Sequence, residues 1–144
     1  MARSEKTAEL MRKIQAAKSV TRMLKVTGTE SALPSVGKHL EELLQERSLR
    51  KEEFFALSGV SVVYGYEIIR GVKSPSRDTL IQFAFALELD VDGTNKLLRI
   101  GEKAQLYPLI KRDKFIIYAI SHGLDIIKLN LLAEENGFLP IGKY

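Results

Sequence analysis

Ser58-Gly59-Val60-Ser61 joins two short amphipathic segments between residues 40 and 75, and the second runs to a stop at Arg70-Gly71 and a loop Lys73-Ser74-Pro75-Ser76. Gly59 can take the positive φ that reverses a chain at the end of a helix at no steric cost. Val60 can bury between the two helices, and the Ser61 hydroxyl can cap the next one by accepting from one of its first unpaired amides. Gly71 ends that helix. Ser76, after Pro75 and before Arg77-Asp78-Thr79-Leu80, caps a further one. This layout predicts a helix-turn-helix.

Outward from the turn the helical period continues. Ser35 caps a helix carrying Val36, Leu40, Leu43 and Leu44, and the two joined helices take residues 51 to 57 and 62 to 70. Leu80, Phe83, Ala84 and Leu87 mark a fourth helix, and Leu97, Leu98 and Ile100 a fifth. Residues 5 to 25 hold no proline or glycine and set Leu10, Ile14, Ala17 and Leu24, with Met11 nearby, close to one face, which predicts a basic amphipathic helix. The polar stretch from Thr27 to Pro34 reads as a linker. Near the other end, Ile116, Ile117 and Ile120, then Ile126, Ile127, Leu129, Leu131 and Leu132, are aliphatic enough for strands. They lack strict alternation, however, and the Asp125 cap and Asn136-Gly137 stop predict two helices. The expected chain is all-α in three segments: 1–34, an N-terminal amphipathic helix and linker; 35–101, a five-helix domain; and 102–144, a helical hairpin packed on that domain.

Residues 36 to 89 resemble the Cro/phage-repressor (XRE) class of helix-turn-helix proteins. The resemblance runs through Leu40, Leu43, Leu44, Phe54, Ser58-Gly59-Val60-Ser61, Ile68-Ile69-Arg70-Gly71, Pro75-Ser76, Leu80, Phe83-Ala84 and Leu87. With Leu106-Tyr107-Pro108, Arg112-Asp113 and the closing helical pair, the longer arrangement is similar to a bacterial subgroup of such regulators. The resemblance implies a lambda-repressor-like domain in a sequence-specific DNA-binding transcriptional regulator that sets its third helix in the major groove of double-stranded DNA. A homodimer is expected, since one module this small rarely binds specifically alone; its contact would come from the C-terminal hairpin or the N-terminal helix.

Carried over position by position, the base-facing residues are Ser61, Val62, Val63 and Glu67, with Tyr66 beside them. Here the chain departs from the family, which usually offers Gln, Arg, Asn or Thr at several of these places. Bidentate amide or guanidinium contacts are each worth about 1–3 kcal/mol of base discrimination. Val62 and Val63 can only pack on thymine methyls, while Glu67 can accept from a cytosine amino group. The other reading of Val62 and Val63 is burial or a protein contact. Gly65 sits mid-helix between Tyr64 and Tyr66, where it can let another helix or a sugar-phosphate chain come close. Phosphate contacts are better supplied: Arg50 and Lys51 open the second helix, and Arg70, Lys73, Ser74 and Arg77 surround the loop after the third. Taken singly, each is equally readable as part of a solvated charged rim.

Charge is unevenly spread over the 144 residues, whose net value is +4. Residues 1 to 34 hold seven basic and three acidic residues, whereas residues 35 to 101 hold nine and ten, so the expected reading domain is about neutral and the basic excess sits on the N-terminal arm. There is no cysteine, which excludes disulfides and Cys-based zinc sites and fits a reducing cytoplasm. No apolar run suits a bilayer crossing, and no signal peptide or membrane anchor is expected. His39 and His122 lie far apart without metal-ligand spacing, so no metal is expected, and each histidine reads as a surface or partly buried one. Tyr64, Tyr66, Tyr107, Tyr118 and Tyr144 form no stacking row, and most of them read as half-buried packing residues. Asp113, beside Lys111-Arg112-Lys114, reads as a locally paired carboxylate. No phosphate loop, nucleophile elbow or metalloprotease motif occurs, so neither an enzyme nor a cofactor is expected.

Finally, an echo recurs at an offset of 35 residues: Ile81, Ala84, Leu89, Asp90, Asn95 and Leu97 return as Ile116, Ala119, Leu124, Asp125, Asn130 and Leu132, with Phe83 answered by Tyr118 and Val91 by Ile126. It reads either as a duplicated helical hairpin that builds a partner surface or as two hairpins sharing common vocabulary. The competing function is a protein-binding adaptor, in which the same scaffold presents Val62, Val63 and Tyr66 to a protein partner without DNA readout.

Overall fold

A computed structural model of the chain describes residues 2–20 and 33–142. These residues form eight helices and no strand: α1 Ala2–Ala16, α2 Val36–Glu46, α3 Lys51–Ser58, α4 Val62–Ile69, α5 Arg77–Ala86, α6 Val91–Ile100, α7 Lys111–Ser121 and α8 Ile126–Asn136. They fall into two compact units, Met1–Pro34 and Ser35–Tyr144. In the first, α1 ends at Ala16, short of the predicted helix to residue 25; Arg22, Leu24, Lys25 and most of the expected linker lie outside the described residues. Met11 and Ile14 stay exposed on α1, and Lys13 pairs with Glu9 one turn away at 3.4 Å.

In the second unit the helix starts are fixed by side-chain caps. Ser35, Ser61, Ser76, Asp90 and Asp125 each accept from the amide three residues on, at 3.2, 3.2, 3.1, 2.7 and 2.8 Å. Gly59 closes α3 and Gly137 closes α8 in the left-handed conformation. One core follows, with Leu40, Phe54, Phe55, Leu80, Phe83, Leu97, Ile116 and Leu129 at its centre. The aliphatic stretches around Ile116 and Leu129 are helical because their buried positions recur every three or four residues, not every two.

Gly65 is a packing requirement of this core. A Cβ there would stand 2.4 Å from Cε1 of Phe55, so α4 lies against the Phe55 ring of α3. The close neighbour that the mid-helix glycine anticipates is therefore a helix of the chain itself. Gly37 does the same from the other side: a Cβ there would meet the Ile69 carbonyl oxygen at 2.0 Å, which seats α2 on the end of α4.

The 35-residue echo extends into the bonding. Arg77 donates a fork to Asp113 at 2.9 and 2.8 Å, and Arg112 donates one to Asp78 at 2.8 and 2.8 Å. The remaining donors of Arg77 reach the carbonyls of Ala104 and Gln105, and those of Arg112 reach Leu139 and Pro140, again 35 residues on. Asn95 accepts from the Leu106 amide at 2.8 Å and Asn130 from the Ile141 amide at 2.7 Å. The Tyr107 amide donates to Asp113 and the Gly142 amide to Asp78. The α5–α6 and α7–α8 hairpins thus repeat one design and hold each other reciprocally, the pattern of an isologous contact written within one chain.

Two local expectations, for Asp113 and His39, are corrected. Asp113 pairs with Arg77, not with its basic neighbours: its side chain is only 1% exposed, Arg112 is committed to Asp78 and Lys111 donates to the Asn136 carbonyl. Tyr64 and Tyr66 are half-buried, in line with the reading of most tyrosines, and Tyr107 and Tyr118 are about half exposed; Tyr118 stacks on His122, and Tyr144 lies outside the described residues. His39 is buried, and its pKa is lowered by that burial and by Lys96.

Two predictions follow from the packing and the charge pairs. Propensity alone would have Gly65→Ala stabilise by about 1 kcal/mol; against the Phe55 ring it should instead lose about 1–3 kcal/mol in urea unfolding. Hydrogen bonds from Arg112 hold Asp78 below the usual carboxylate range; burial pushes Asp113 up, but Arg77 and the Tyr107 amide outweigh it and hold it low. A lowered carboxylate contributes stability that is present above its unfolded pKa of about 4 and lost as pH falls through the folded value. Stability should therefore decline below about pH 4. Asp113→Asn should flatten that decline and cost about 2 kcal/mol at neutral pH, less than a fully buried pair because Arg77 keeps a quarter of its side chain exposed.

Candidate nucleic-acid interface

The reversal at Gly59, with φ of 73°, turns the chain so that Val60 packs against the core while Ser61 begins α4. Ser61 spends its hydroxyl on the Tyr64 amide, leaving the first-turn amides of Val62 and Val63 without partners inside the helix. Both side chains face outward, Val62 at 47% and Val63 at 72% exposure, which removes the core reading of these valines. The inner side of α4 carries Gly65 and Ile68, both buried.

Tyr66 and Glu67 lie further along α4 and are half-buried. The Tyr66 hydroxyl donates to Glu52 of α3 at 2.6 Å, and its ring stands edge-on to Phe55 with centroids 5.3 Å apart. Tyr66 is thus a strut between the two helices. The phenol lowers the pKa of Glu52 and the carboxylate raises that of Tyr66, each chiefly through this hydrogen bond. The Glu67 carbonyl accepts from the Val72 and Lys73 amides at 2.8 and 3.2 Å, folding the following loop back over the end of α4.

The six residues expected on phosphates divide into three groups. Arg70, Lys73 and Ser74 are exposed, and none of their side chains bonds to another described residue. Arg70 and Lys73 cluster at the C-terminal end of α4, where cations favour the negative end of the helix dipole. Arg50 and Lys51 sit at the start of α3 but pair with Glu53 at 2.6 Å and Glu41 at 3.7 Å. The Glu53 hydrogen bond raises the pKa of Arg50 further. Arg77 is a correction: its guanidinium faces Asp113 and two backbone carbonyls, so its donors are spent inside the fold.

Sequence reasoning missed Glu52, whose partner lies 14 residues away on another helix, and the Arg112–Asp78 pair, for which the repeated Arg-Asp dipeptide at 77 and 112 was an available signal. Comparison of the chain with protein-family models, with curated proteins and with solved structures gave no match.

Glu52→Gln should let Tyr66 ionise at a lower pH, nearer the ordinary phenol value. Ultraviolet titration of the tyrosines, with Tyr66→Phe to identify the transition, checks the strut directly.

Proposed function

We propose that the chain is a sequence-specific DNA-binding transcriptional regulator of the Cro/phage-repressor (XRE) class. In this reading α2 to α6 form a lambda-repressor-like helix-turn-helix domain and α4 enters the major groove of double-stranded DNA. The observation that carries it is the state of α4: its first turn is exposed and its inner side is locked on Phe55. Beyond it, Arg70, Lys73 and Ser74 stand unengaged by other described residues. Phosphate contacts would then come mainly from those three, with Arg50 and Lys51 exchanging Glu53 and Glu41 for the backbone. Base readout would be sparse and apolar, with Val62 and Val63 on thymine methyls and Glu67 on a cytosine amino group. The chain would act as a homodimer in the bacterial cytoplasm; among the described residues no helix is long and apolar enough to cross a membrane.

A protein-binding adaptor is the second reading, favoured by the exposure of Leu57, Val62, Val63 and Val72 and by the Glu52 carboxylate next to Tyr66. Surface apolar residues of this kind suit a protein contact as well as a thymine-rich groove.

Selection of bound duplexes from a random pool separates the two. The regulator reading expects an enriched motif containing thymines and affinity that falls with salt. Arg70→Ala with Lys73→Ala should lower the log–log salt slope by about 1.8 across all sequences. Val63→Asp should abolish enrichment while the protein stays folded. No duplex preference at low salt, with a protein captured through Val63, would favour the adaptor.

A further inference from the structure

Aligned at the 35-residue offset, the two hairpins share their bonds but not their outer surfaces. The water-facing positions of α6 are Asp92 and Lys96, followed after the helix by Ala104 and Gln105. In the second hairpin the same four positions are Ile127, Leu131, Leu139 and Pro140. All four are exposed: Ile127 at 65%, Leu131 at 55% and Leu139 at 77%, with Pro140 beside them. Ile127, Leu131 and Pro140, with Asn130 and Glu134, line a shallow groove of about 390 Å³. The first hairpin serves as an internal control at these positions, since three of the four are polar in it and all four are apolar in the second copy.

We infer that this face is the contact between two copies of the chain, with α8 of each crossing antiparallel at Leu131. Residues 127, 128, 131, 134 and 135 fall along one side of α8. With Leu131 on a two-fold axis, position 128 of one copy faces position 134 of the other, so Lys128 meets Glu134 twice. Both side chains are exposed and make no ion pair among the described residues, which leaves them available for that exchange. The surface is therefore complementary in charge at 128 and 134 and apolar at Leu131, while Ile127 of each copy packs on the aliphatic stem of the other's Glu135. The same alignment of α6 would set Lys96 against Lys96. A second chain also cannot use the face at the start of α5, because α7 already fills it through the Arg77–Asp113 and Asp78–Arg112 pairs. The inference supplies the homodimer that the DNA reading requires, yet it stands on the protein alone.

Sedimentation of the full chain without DNA tests it independently of any DNA result. The expected species has twice the 16.2 kDa chain mass. Leu131→Asp, at an exposed position, should weaken self-association at least about tenfold, as truncation of a central interface residue does. Lys128→Glu and Glu134→Lys should each weaken it, and the two together should restore it, with circular dichroism showing that every variant is folded. A chain that remains monomeric at about 100 µM overturns the inference. So does a dimer that is indifferent to Leu131→Asp and to the charge exchange.

Discussion

Two guanidinium–carboxylate forks, Arg77 with Asp113 and Arg112 with Asp78, set the geometry on which the larger unit depends. Their strength lies in completeness. Each arginine also donates to two backbone carbonyls and each aspartate also accepts a backbone amide, so every guanidinium nitrogen has a partner and no buried side-chain nitrogen or oxygen among the described residues is left unbonded. The forks fix the start of α5, and that start follows directly on the loop carrying Lys73 and Ser74. The edge of the proposed DNA surface is thus positioned by electrostatics deep in the C-terminal hairpin. Neither fork reaches the DNA in this reading.

The proposed reading helix is held by absence of side chain as much as by presence. Gly65 admits the Phe55 ring and Gly37 admits the Ile69 carbonyl, which clamps α4 between α2 and α3. Tyr66 adds a polar strut to Glu52. A helix fixed at three points by two neighbouring helices has little freedom to adjust to a partner, so what it recognises is set by its outward residues. Those residues are short and branched, which favours shape and methyl contact over hydrogen-bonded readout.

Much of the architecture was legible because it is locally encoded. Ser35, Ser61, Ser76 and Asp125 open helices by bonding three residues ahead, and Gly59 and Gly137 close them by taking a conformation that few other residues tolerate. The exposure of Val62 and Val63 was not settled by sequence, since an apolar residue at a helix start suits either side. Arg77 looked like a phosphate ligand because it belongs to a basic loop. Its commitment to Asp113 depends on a residue 36 positions away, which the basic loop around Arg77 does not reveal and only the repeated Arg-Asp dipeptide hinted at. The echo of Ile81 in Ile116 and Asn95 in Asn130 was visible as a pattern. Only the reciprocal bonds distinguish a duplicated design from shared helical vocabulary.

The bond from the Gly142 amide to Asp78 spans 64 residues in a fold whose other contacts are mostly helical and near-neighbour. Closing so long a loop carries an entropic toll that local helix formation does not, and it comes due before the contact rewards it. The Asp78–Gly142 contact is therefore suited to form after the pairs of Arg77 with Asp113 and of Asn95 with the Leu106 amide have shortened the loop between its ends. Ile141, next to it, then enters a core that both hairpins already share.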